Sequence, residues 1–334
     1  MRLDESAVRV DPAPAGFGLP LLARPERPGV PLVEYVRTHP EAVRRWLDRA
    51  GAVMFRGFGV TLDGLGPVTT ALAGTPEAYV ERSTPRTELA DRVYTATDHP
   101  ADQRIPLHNE NSYQWQFPGL LAFCCLRPAT SGGATPVADT RRVLARIPPA
   151  VLRPFAEHGV RYVRTFGAGL GLPWQEVFQT ASRSAVTDYC RSRDIEVEWR
   201  PDGVLRTCQV RPAVAVHPRT GARVWFNHAA FFHPYALPAE VREALLRQVA
   251  EEDLPNVARY GDGRRIPRGV LAELVAAYAA EQVAVPWEAG DVLLVDNLLA
   301  AHGREPFSGE RRVAVTMAGP IRWADVAASP DGVG

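Results

Sequence analysis

The sequence predicts a mainly β protein with surrounding helices, a single decorated β-sandwich or jelly roll. Three observations carry that prediction. Strand-like stretches outnumber helical ones along most of the chain. Thirty prolines and twenty-seven glycines interrupt its 334 residues, which favours short strands and loops over long helices. No repeat period recurs and no linker divides the chain, so residues 1–334 are expected to form one domain.

The elements follow in order. Residues 1–30, rich in proline and polar side chains, predict an extended N-terminal arm. HPEAVRRWLDRAG (39–51) has helical spacing and stops at a glycine. AVMFRGFGV (52–60) is a buried strand and LDGLGPVTTALAG (62–74) a second helix. Strand candidates then take over: RVYTAT (92–97), LLAFCCL (120–126), ATPVAD (134–139), VRYVRTF (160–166), IEVEWR (195–200) and VLRTCQVR (204–211). AVAVH (213–217), ARVWFN (222–227), VAVPW (283–287), DVLLVDN (291–297) and RRVAVTMA (311–318) complete the set. Helices are expected at TRRVLARI, PAVLRPFAEHG, 174–193, 238–253 and 268–282. The segment from 238 opens with proline and acidic residues, an ordinary helix start.

Composition narrows the function. Thirty-eight basic and thirty-eight acidic residues cancel, so no net field draws the chain to nucleic acid or an anionic membrane. The four cysteines (124, 125, 190, 208) form no CxxC pair and read as small buried side chains in a reducing compartment. The polar start lacks the apolar core of a signal peptide, and no stretch is long and apolar enough to span a bilayer. A cytoplasmic protein acting on a small molecule is the expectation.

The eight histidines divide into two groups. His39 and His158 lie at helix ends, His99 in a polar loop expected to be exposed, and His217 at a strand end. His228 and His233 flank the aromatic run FNHAAFFHP and read as pocket-wall or satisfied residues. His108 differs because LHNENSYQWQF puts Glu110 two residues later. On a strand, residues two apart share a face, so an imidazole and a carboxylate can grip one ion from adjacent corners. His302, in NLLAAHGREPF, would add the third ligand of a facial triad and leave half of an Fe(II) coordination sphere open. The His-x-carboxylate spacing alone recurs by chance.

Three blocks in order make the pattern specific. YTATDHPADQRIPLHNENSYQ, FCCLRPATSGGATPVADTRRVL and WEAGDVLLVDNLLAAHGREPFSGERRVAV resemble the taurine dioxygenase (TauD/TfdA) family of Fe(II)/2-oxoglutarate oxygenases, more closely its SyrP-like branch. The likeness runs from about 50 to 320, and the HNENSYQ glutamate is similar to that of clavaminate synthase. The resemblance implies a double-stranded β-helix, with His108, Glu110 and His302 on iron. It also implies that Thr135 and an arginine at 311 or 312 bind 2-oxoglutarate, and Arg311 is the one chosen. O₂ would take the last position on the metal.

The activity so implied is hydroxylation of an unactivated carbon of a small, amino-acid-like metabolite, free or carrier-bound, in antibiotic or other natural-product biosynthesis. Desaturation or cyclisation would use the same cofactor chemistry. Halogenases of this kind replace the iron carboxylate with a small residue, so Glu110 argues against halogenation. A non-catalytic jelly-roll binding module would need a lost ligand or a lost arginine, and neither is missing. A zinc hydrolase on the same ligands would leave Arg311 without a purpose.

Overall fold

The computed structural model describes residues 3–13, 18–76, 81, 86–97, 99–167, 171–201 and 203–328. Its spine is an eight-stranded sheet. In spatial order the strands are Val8–Asp11, Leu21–Pro25, Ala52–Phe55, Val292–Asp296, Gln116–Arg127, Arg312–Arg322, Val93–Thr95 and Glu88–Ala90. The centre is the long antiparallel pair of Gln116–Arg127 with Arg312–Arg322, in which Phe123 faces Val315. Leu121 to Cys125 are all buried, because this strand is covered on both faces and so reads as a continuous apolar run. One face packs on helices Leu32–Thr38, Pro40–Ala50 and Leu62–Ala73. All four cysteines are free and buried.

The N-terminal arm is not a loose extension. Val8–Asp11 and Leu21–Pro25 pair antiparallel, and Leu21–Pro25 lies parallel to Ala52–Phe55, so the arm finishes one edge of the sheet. Polar composition hid it, since the outer strand places only Val8 in the core.

Two smaller sheets stand beside this spine. A three-stranded sheet has Ala300–Arg304 between Ile105–His108 and Val137–Asp139. A four-stranded antiparallel sheet orders Glu196–Trp199, Leu205–Arg211, Val160–Phe166 and Asn256–Tyr260. Tyr162, Trp225, Phe155, Phe232 and Ala301 form a second core that joins them. Val214–Val216 and Arg223–Trp225 make a separate hairpin. This is the strand-rich jelly-roll architecture with helices outside, although no sheet among the described residues closes into a barrel.

Some expected elements differ. VAVPW is not a strand: only Val283 makes a bridge, to Val137, and Pro286 offers no N–H for a ladder. The helix predicted to 253 covers Ala239–Leu246, with a separate 3₁₀ turn at Glu251–Asp253. Region 174–193 splits into Trp174–Phe178 and Arg183–Arg191, because Gln179 is left-handed at φ 54°. Short strands at Glu88–Ala90, Ser131–Gly132, Asn256–Tyr260, Ala300–Arg304 and Phe307–Ser308 were not expected, and the strand assumed at His108 runs Ile105–His108. No helix among the described residues is long and apolar enough to cross a membrane.

Candidate metal centre

The site forms where the three-stranded sheet brings distant segments together. His302, in Ala300–Arg304, is the direct cross-strand partner of His108 in Ile105–His108. The rings stand 4.5 Å apart between centroids. Gly303 permits this closeness: a Cβ there would lie 2.6 Å from the Ile105 carbonyl oxygen, which backbone cannot yield. Only glycine lets the two strands meet at that point.

Glu110 reaches the site by another route than strand alternation. The strand ends at His108, and Glu110 sits in the turn that follows. Asn297 holds it there. The Asn297 Oδ1 accepts the Glu110 backbone N–H at 2.8 Å, and its Nδ2 donates to the carbonyls of Glu110 and Pro118 at 2.9 and 2.8 Å. The neighbouring Asn109 donates to the Asn297 carbonyl at 2.7 Å. The turn between the first two candidate ligands is thereby fastened to the segment leading to the third.

The three ligand groups converge. Glu110 Oε2 is 3.7 Å from His302 Nε2 and 4.0 Å from His108 Nε2, and one ligand atom from each residue falls within a common 4.8 Å. Burial, then the charge of His302, presses the His108 imidazole down to about 3, so the ring is neutral. Its Nδ1 lies 2.9 Å from the Pro106 carbonyl, which only accepts; Nδ1 therefore carries the hydrogen and Nε2 the lone pair. Burial would raise the Glu110 carboxyl, but the Arg86 guanidinium, with both histidines, overrides it and holds the group well below the usual carboxylate range. Arg86 Nη2 donates to Glu110 Oε2 at 2.8 Å. Two imidazole nitrogens and an anionic oxygen, gathered on one side of a pocket, are the donor set that suits Fe(II).

Thr135 and Arg311, the residues expected to hold the co-substrate, line the same pocket, to which Ile105, Phe123 and Phe231 add apolar surface. Arg311 donates through Nε to the Gly133 carbonyl at 2.8 Å and through Nη2 to Thr135 Oγ1 at 3.4 Å. Burial, then the charge of Arg304, pushes its guanidinium down to about 10, still cationic at neutral pH. No carboxylate among the described residues pairs with Arg311 or with Arg304, whose guanidinium instead donates to the carbonyls of His99, Pro100 and Gln103. A part-buried guanidinium with no carboxylate partner among the described residues fits the far carboxylate of a dicarboxylate. Arg312 is exposed. Thr135 Oγ1 also accepts the Trp287 indole N–H at 3.2 Å.

The sequence reading missed Arg86, Asn297, Trp287 and Arg304. Arg86 lies in no pattern, whereas the DN pair before His302 was a signal that could have been used. His228 is a pocket wall as expected, its Nδ1 taken by Ser112 Oγ at 2.6 Å. His99 is half-buried rather than exposed. His217 is fully buried, and with Asp48 and Asp296 it makes the second cluster of ligand atoms among the described residues. That cluster is charge-paired. His217 Nδ1 accepts the Thr220 N–H at 3.1 Å, so Nε2 bears the hydrogen toward Asp296, while Arg219 bridges both aspartates.

Comparison with known proteins agrees with this geometry. The model of the taurine catabolism dioxygenase TauD, TfdA family matches residues 15–317. The chain is 40% identical over 289 residues to the dapdiamide synthesis protein DdaC of Enterobacter agglomerans, covering 86% of this chain and 87% of that one. It is 30% identical over 323 residues to a clavaminate synthase-like protein of Arabidopsis thaliana, covering 92% of each. Among solved structures, PvcB of Pseudomonas aeruginosa superposes with a TM-score of 0.55 at 19% identity, over 95% of this chain and 92% of that one. With the family model matched over most of its length and two relatives of this similarity, the chain belongs to the TauD/TfdA family and is an iron(II)- and 2-oxoglutarate-dependent dioxygenase.

Proposed function

We propose that the protein hydroxylates an unactivated carbon of a small polar, amino-acid-like metabolite in natural-product biosynthesis, free or carrier-bound, in the cytoplasm. His108, Glu110 and His302 would hold the iron, and Arg311 with Thr135 the distal carboxylate of 2-oxoglutarate. Bound there, iron with 2-oxoglutarate and O₂ supplies the oxidising power that turns C–H into C–OH, with succinate and CO₂ released. The chain's own contribution is placement. Asn297 and the Ile105–Arg304 strand contact set the three ligands. Arg311 orients the co-substrate, and Phe123 and Phe231 keep bulk water from the reacting carbon.

One observation supports this most: a converging two-histidine, one-carboxylate cluster shares its pocket with a part-buried arginine, Arg311, that has no acid partner among the described residues. DdaC, a dapdiamide synthesis protein, supports the biosynthetic setting. The HNENSYQ block supports the SyrP-like branch. The test is succinate formation from 2-oxoglutarate with Fe(II) and ascorbate, scanned over free and carrier-loaded amino acids. A product two hydrogens lighter, rather than one oxygen heavier, would replace hydroxylation by desaturation. Failure of every candidate to stimulate succinate release would remove the amino-acid-like substrate.

A further inference from the structure

The Arg86 guanidinium rests on the very oxygen that faces both histidines. Its Nη2 is 2.8 Å from Glu110 Oε2, and the two side chains are only 6% and 4% exposed. That same Oε2 is the atom 3.7 Å from His302 Nε2 and 4.0 Å from His108 Nε2. Arg86 Nη1 lies 3.8 Å from Met317 Sδ, in the central Arg312–Arg322 strand, so the head group is seated against a rigid element. Guanidinium does not deprotonate in proteins, so Arg86 keeps its charge when a divalent cation arrives. Two cations must then share one carboxylate oxygen in a place where water screens them poorly.

We propose that Arg86 is a positioning residue that sets the metal affinity of this site, holding Glu110 in place while weakening its grip on a divalent ion. The inference rests on the ligand assignment made above. Arg86 draws on the ligand oxygen and also repels the incoming ion directly, and both effects act in the same direction. The site is thereby kept from binding divalent ions as tightly as its donor set alone would allow.

The test is a titration of the metal-free protein with Mn(II), with free Mn(II) read by electron paramagnetic resonance and the rise in melting temperature read in parallel. Arg86→Gln should bind Mn(II) about tenfold tighter than wild type or more, as expected when a like charge leaves a buried site. Arg86→Lys, which retains the charge, should stay near wild type. Melting temperature against Mn(II) reports the same order even if Arg86→Gln starts from a less stable baseline. Unchanged or weaker binding by Arg86→Gln, with binding lost in His302→Ala, overturns the role of Arg86 and leaves the ligand assignment standing. Wild-type Mn(II) binding by His302→Ala overturns the assignment, and the proposal with it.

Discussion

Asn297 grips Glu110 by both backbone polar groups, accepting from its N–H and donating to its carbonyl. The residue is wholly buried, so none of these bonds has water as a substitute. Asn297→Ala should therefore strand several backbone groups and cost about 1–3 kcal/mol for each that stays unsatisfied. Mn(II) binding should fall with it, by roughly tenfold or more on that scale. Urea unfolding and a Mn(II) titration measure the two effects. A variant that is destabilised yet binds Mn(II) like wild type would show that the clamp serves the fold alone.

Replacing His108, Glu110 or His302 by alanine should each abolish turnover. The histidine variants should keep a wild-type circular dichroism spectrum, because their side chains are small in volume and lie at a pocket surface. Glu110→Ala should also melt earlier, since it removes the carboxylate that pairs with the buried Arg86 guanidinium. Substrate-dependent succinate at near-wild-type rate in any one variant removes that residue from the ligand set.

Arg311→Ala should raise the KM for 2-oxoglutarate by roughly tenfold or more, consistent with about 2–5 kcal/mol for truncating one partner of a buried charge pair. Arg312→Ala should be nearly silent, because that side chain is exposed at the start of its strand. A reversed order of effect would place the co-substrate on the other face of the strand.

Glu110 also bears on the product. Were Glu110 to join the two histidines on iron, 2-oxoglutarate and O₂ would take the remaining positions and leave none for a halide. Turnover in high chloride or bromide should therefore give a product one oxygen heavier that carries ¹⁸O from ¹⁸O₂. Mass spectrometry showing a halogenated main product would sink the hydroxylase reading.

A buried ion pair away from the candidate metal centre sets a pH-dependent stability. Arg164 Nη1 lies 3.4 Å from Glu81 Oε1, both side chains 3% exposed. Burial raises the Glu81 carboxyl above its ordinary value, while Arg164 and then Arg211 oppose the rise. The native state thus holds this proton more tightly than the unfolded chain, and stability falls as pH climbs from the ordinary carboxylate value toward the raised one. Arg164→Met should lift the carboxyl further, cost about 3–5 kcal/mol at neutral pH, and recover part of that loss on acidification toward about pH 5. Melting curves across that range with a constant difference from wild type would show that the charge of Glu81 is not involved.

Much of the site was legible because its chemistry needs particular residue types. His108, Glu110 and His302 meet as expected, and Arg311 rather than Arg312 turns inward. The expected cause of the first pairing was wrong, however. Period-two alternation was assumed for His108 and Glu110, but the chain leaves the strand between them, and a side-chain clamp from Asn297 does the aiming. Tertiary hydrogen bonds of that sort leave no periodic trace. Ala300–Arg304 escaped for a related reason: it is too short to show alternation, and Gly303 reads locally as a break. Arg86 was invisible because nothing in STPRTEL distinguishes a buried guanidinium from a solvated one.

The direct pairing of His108 with His302 has a consequence for how the chain reaches its active form. All of the four-stranded sheet and most of the helices among the described residues lie in sequence between these two residues. Joining them closes one of the longest loops in the molecule, a step that carries a large entropic cost until the intervening units have condensed. An early, half-folded chain can present one histidine and the nearby carboxylate, but not the opposite corner. With these three residues as ligands, a complete grip on a metal would form only after the intervening units have folded, so metal binding would report arrival at the finished structure.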